Sequence, residues 1–136
     1  MQFAELAGNV PLHIAVPYGA AGITGGGELL VPYPMKINAA SWLAGAAITG
    51  QATNFFTLSF FNRGGAGAGT VQWATAIAYS SGGVTAAKGT PVALTLSSTA
   101  SDLLIAAGDV LSVEITTTGT GLICPGGAVY LNATMR

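Results

Sequence analysis

Apolar positions recur at every second residue through most of this chain. Phe56, Leu58 and Phe60 alternate with Thr57 and Ser59, and Val92, Leu94 and Leu96 with Ala93 and Thr95. Leu111, Val113 and Ile115 alternate with Ser112, Glu114 and Thr116, and Val129 and Leu131 with Tyr130 and Asn132. Val71, Trp73, Ile77 and Tyr79 read onto one face, with Gln72 and Ala74 opposite. A period of two sends successive side chains to opposite faces of a strand, so each segment turns one face to a core. Glycine-rich or polar breaks at 64–69, 80–83, 88–90 and 118–121 read as turns, and residues 106–109 as a tight turn joining two strands. The nearest approach to helical spacing, residues 39–47, is weakened by Gly45. The pattern predicts an all-β chain folded as an antiparallel β-sandwich.

The first 27 residues break this rhythm. Residues 3–7 and 12–16 are short candidate strands interrupted by Pro11 and Pro17, and residues 19–27 carry too much glycine to predict a packed element. They read as an N-terminal arm and connector (1–27) ahead of a sandwich domain (28–136). Such an arm can add a strand to a neighbour's sheet edge. Its apolar side chains Phe3, Leu6, Leu12 and Ile14 are therefore candidate assembly contacts. Trp42 joins them, because simple alternation puts it on the side of Lys36 and Asn38; Trp73 alternates with core positions.

Composition narrows the function. The 136 residues suit one domain. Only 7% of them are charged, against about 25% in ordinary proteins. No basic stripe is present, which argues against a nucleic-acid partner. Every apolar run is cut well short of a membrane span. The N-terminus lacks a basic region followed by an apolar stretch, so no secretory signal is expected. A net charge of −1 leaves little self-repulsion and favours packing beside like copies.

Candidate chemistry is sparse. Cys124 is the only cysteine and His13 the only histidine, so neither an internal disulfide nor a cysteine or histidine metal cluster is available. A Ser-His-Asp site would need His13, and no nucleophile-elbow sequence accompanies it. Asp102, Asp109 and Glu114 lie close in sequence and could form a carboxylate pair, but the turn position of Asp109 suits backbone capping better. Neither glycine run, 25–27 or 64–69, carries the Lys-Ser/Thr pair of a phosphate loop. The expectation is a protein without enzymatic activity, cofactor or metal.

The segments GGGELLVPYPMKINAASW, TNFFTLSFFNRG, VQWATAIAY, LLIAAGDVLSVEITTTGTG and PGGAVYLNAT together span most of residues 25–134. In style they resemble the small β-sandwich head-decoration, or cement, proteins of tailed bacteriophages. The resemblance implies a jelly-roll-like sandwich, a homotrimer, and binding to the major capsid protein on the virion's outer surface. The alternative is a receptor- or glycan-binding module of a tail fibre or baseplate, with Trp42, Tyr33 and the 64–69 loop as its contact residues.

Overall fold

The computed structural model describes residues 8–136. Phe3 and Leu6, and with them the first part of the expected arm, lie outside the described residues.

Two antiparallel sheets face each other. One holds β1 (Val10–Val16), β11 (Gly127–Met135), β3 (Met35–Ala44) and β8 (Val92–Ala93) in that order, with β9 (Leu104–Ile105) also on β3. The other holds β2 (Gly25–Leu30), β10 (Val110–Thr118), β5 (Phe55–Asn62) and β6 (Val71–Ala78). A small ribbon pairs β4 (Ile48–Thr49) with β7 (Thr85–Ala86). The pairs β1–β11, β2–β10, β3 with β8 and β9, and β5–β6 nest inside one another. That nesting is a long hairpin rolled over itself, the jelly-roll arrangement.

The period-two reading holds where the ladders are regular. Phe56, Leu58, Phe60, Leu111, Val113, Ile115, Val129 and Leu131 all line the core. Trp42, Trp73 and Tyr79 are its largest fully buried side chains.

Three expectations need correction. The sheets begin at Val10, ahead of the boundary expected at Glu28. β1 pairs with β11 from Val10↔Ala133 to Val16↔Gly127, and it buries Ile14 and Val16. As an edge strand, β1 tolerates Pro11 with the missing N–H turned away from the ladder. The glycine run is also structured, with Gly25, Gly26 and Gly27 pairing with Ile115, Glu114 and Val113.

Trp42 faces inward. Met35 and Ile37 are buried, and then the register slips between Asn132 and Ala133 opposite Asn38. The bulge shifts the phase by one residue, so Ala40, Trp42 and Ala44 become the buried set. Irregular register between β5 and β6 acts alike: Trp73 and Ala74 are both buried. Val71, the first residue of β6, is exposed.

Residues 106–109 do form a tight turn between two strands, closed by the Asp109 N–H on the Ala106 carbonyl (3.1 Å). β9 pairs with β3, whereas β10 lies in the opposite sheet, so this turn carries the chain between layers.

The two flanks of the sandwich close differently. Between β1 and β2 the backbones nearly touch; a Cβ on Gly27 would collide with the Ala15 carbonyl, and one on Gly26 with the Val113 carbonyl. On the opposite flank residues 94–97 cross between sheets. Leu94 N–H donates to Ala40 in one sheet (3.0 Å), and Ser97 N–H donates to Trp73 in the other (2.9 Å).

Candidate interaction surfaces

Most of the carboxylates are committed to holding loops and neighbours in place. Asp109 Oδ2 accepts from Asn62 Nδ2 (2.9 Å) and from the Ala106 N–H (3.0 Å), which fixes the inter-sheet turn. Asp102 accepts from Ser97 Oγ at 2.6 Å. Glu114 is ion-paired with Arg63, whose guanidinium also donates to the Gly69 carbonyl (2.9 Å) and stacks over Phe61 at 4.4 Å. The three acids that the sequence offered as catalytic candidates therefore each hold a structural partner, and Glu28 is the carboxylate with neither an ion pair nor a side-chain hydrogen bond among the described residues. Among the described residues no group of three His, Cys, Asp or Glu side chains converges, and no helix is long and apolar enough to cross a membrane.

Burial pushes the Cys124 thiol up from its ordinary range, against a smaller opposing effect of a hydrogen bond at the Gly126 backbone. The Tyr79 phenol is raised by burial, is partly offset by its hydrogen bond from Trp42, and is raised further by Cys124. Both groups are held protonated, the opposite of what a nucleophile needs.

The sequence-predicted contacts divide. Trp42 is fully buried and its Nε1 donates to Tyr79 Oη at 3.1 Å. Ile14 is equally buried, and Leu12 is half-buried against the core. Neither Trp42 nor Ile14 can meet a partner without unfolding. Tyr33 is exposed in the loop between β2 and β3.

The exposed side chains that simple alternation missed are apolar residues in loops. At one end of the sandwich Tyr18 is 65% exposed, Ile23 58% and Ile123 48%. They sit on two loops braced against each other: Gly19 and Cys124 exchange backbone hydrogen bonds of 2.9 Å in each direction. The third wall of this end is set by Asn54, whose Oδ1 accepts from the Thr120 N–H at 2.9 Å. Loop residues carry no periodicity, which is why they left no signal in the sequence. On the outer face of the first sheet, exposed Tyr130 stands beside His13, with ring centroids 6.2 Å apart.

A polar trough runs along β2 on the outer face of the second sheet. The glycine strand supplies no side chains there, so Thr24, Glu28, Ser112, Glu114 and Thr116 form its lining. Ser112 is 1% exposed, and its hydroxyl has no hydrogen-bond partner among the described residues. Leaving a hydroxyl in that state costs on the order of 1–3 kcal/mol.

Comparison of the chain with family models, with curated proteins and with solved structures finds no match. The fold itself defines an eight-stranded jelly roll elaborated by short pairs.

Proposed function

We propose that this chain is a structural virion protein, a decoration or cement subunit that seats on the outer surface of a phage head, binds the major capsid protein and stabilises the shell. The observation that carries this reading is the apolar end formed by Tyr18, Ile23 and Ile123 on an almost uncharged sandwich. Large side chains held in water at one place favour an interface, and the backbone exchange between Gly19 and Cys124 fixes them before contact. Carboxylates tied into loop hydrogen bonds and protonated buried thiol and phenol groups support a role in contact rather than in turnover. Self-association as a homotrimer fits the same low charge.

The test uses expanded shells stripped of their decoration. The intact chain is expected to bind them and raise their resistance to heat; Tyr18→Ser combined with Ile123→Ser is expected to bind far less while keeping its circular dichroism. Full binding by the double variant removes the apolar end from the reading, and failure of the intact chain to bind any shell overturns it.

A glycan-binding module is the second reading, and exposed Tyr33 between Pro32 and Pro34 favours it. Binding on a glycan array that disappears in Tyr33→Ala would select this reading over the first.

A further inference from the structure

The two flanks of the sandwich carry complementary features. On the β1–β2 flank lies the trough, where cross-strand pairing sets Glu28 opposite Ser112 and Glu114 opposite Gly26. The two carboxylates are thus diagonal neighbours on one face, a spacing of about 7–8 Å that leaves them mutually repelling. Arg63 neutralises Glu114 from the β5 side, and Glu28 has no cation among the described residues. Ser112 points to the same face, opposite in direction to buried Leu111 and Val113, and its enclosed hydroxyl lacks a partner among the described residues. The trough has acceptors to spare and no aromatic ring in its lining, so it suits an ammonium group better than a sugar.

The opposite flank presents such a group. Between β7 and β8 the chain makes a tight turn in which Thr90 N–H donates to the Ala87 carbonyl (3.2 Å) and Gly89 takes φ +78. A positive φ at the third position needs glycine and leaves the second residue at the tip. That residue is Lys88, exposed and without an ion-pair partner among the described residues. Sheet order puts this turn beside the β6–β8 flank, across the sandwich from β2.

We infer that copies of this chain join flank to flank, with Lys88 of one copy entering the Glu28 trough of the next. A feature on one side that fits a different feature on the other makes a heterologous contact, which gives a ring when the rotation between copies closes, as in the trimer proposed above. This deepens the proposed function, since it rests on self-association and says which surfaces perform it. Glu28 then gains its counter-charge.

Sedimentation of the full chain at low and high salt tests this, with Glu28→Gln, Lys88→Gln and the exchanged pair Glu28→Lys with Lys88→Glu. Both single variants alter exposed positions, so circular dichroism is expected to match the parent. Each is expected to weaken association roughly tenfold and to flatten its salt dependence, and the exchanged pair to recover most of the loss. Association by Glu28→Gln equal to the parent overturns the trough contact while leaving the decoration reading intact. A loss in Glu28→Gln without one in Lys88→Gln overturns the choice of Lys88. A parent chain that stays monomeric at every concentration yet binds shells overturns the ring alone; one that neither associates nor binds shells overturns both.

Discussion

Trp42 and Tyr79 are joined by a buried hydrogen bond of 3.1 Å from indole to phenol, although one belongs to β3 in the first sheet and the other follows β6 in the second. The contact spans the layers at their thickest side chains, and Phe56 packs on the Tyr79 ring at 4.9 Å. Tyr79→Phe keeps the ring and removes the acceptor, leaving the Trp42 N–H buried and unpaired. A loss of about 1–3 kcal/mol is expected, read as a lowered urea midpoint at unchanged slope. Trp42→Ala removes far more, about 3–5 kcal/mol, and unfolding rather than a lost binding site is its expected phenotype.

How far the sequence spoke depends on whether the ladders run without slips. β5, β10 and β11 keep their phase through the core, and Phe56, Leu58, Phe60, Leu111, Val113, Ile115, Val129 and Leu131 were legible. β3 and β6 change phase at bulges, and a bulge leaves no mark that a count of alternating residues can detect; Trp42 and Ala74 were misplaced for that reason. β2 was invisible for another cause. Glycine has no side chain to alternate, yet the close approach of β1 and β10 is what requires it. The surface features fared worst. The exposed apolar end depends on loops, and the trough on which strands meet at an edge, and neither is a property of spacing along the chain.

The crowding at β2 makes a sharp prediction. Gly27→Ala places a methyl group against the Ala15 carbonyl, and Gly26→Ala places one against the Val113 carbonyl. Neither obstacle is the end of a flexible side chain, so a strand must shift. Each substitution is expected to destabilise by about 1–3 kcal/mol, and Gly25→Ala, which meets open space, by much less. Thermal denaturation of the three variants side by side checks the ranking.

β1 belongs to the sandwich, so truncation is a test of stability as well as of attachment. Deleting residues 1–24 removes the partner of β11 and the buried Ile14 and Val16, each of which contributes roughly 1.5–3 kcal/mol by burial. The shortened chain is expected to lose cooperative unfolding or to aggregate through the bared β11 edge. A soluble, cooperatively folding product in size-exclusion and melting experiments would contradict the role given to β1.

The Arg63–Glu114 pair is expected to matter little to stability. Glu114 is over one-third exposed, and partly solvated pairs of this kind contribute about 0–1 kcal/mol. Glu114→Gln should therefore move the urea midpoint only slightly. Arg63→Ala should cost more than Glu114→Gln, because it also removes the stacking over Phe61 and the hydrogen bond to Gly69 that anchors the 64–69 loop.

Alkaline pH probes the buried thiol and phenol together. Cys124 and Tyr79 both hold their protons more tightly in the folded chain than in the unfolded one, mainly because burial disfavours the charged forms. Below the unfolded-state values both states are fully protonated at these groups, so their contribution is constant. As pH rises past about 9 the unfolded chain releases the Cys124 proton first and then that of Tyr79, while the folded chain retains both; the unfolded state is thereby favoured and stability declines. The urea midpoint is expected to fall steadily from about pH 9 upward, and to fall less in Cys124→Ala combined with Tyr79→Phe, measured against the double variant's own midpoint at neutral pH. The same burial predicts that a thiol reagent at mildly alkaline pH leaves Cys124 untouched until denaturant is added. Rapid labelling of the native chain would mean that the loop pairing of Gly19 with Cys124 opens readily, and the rigid apolar end argued from that pairing would go with it.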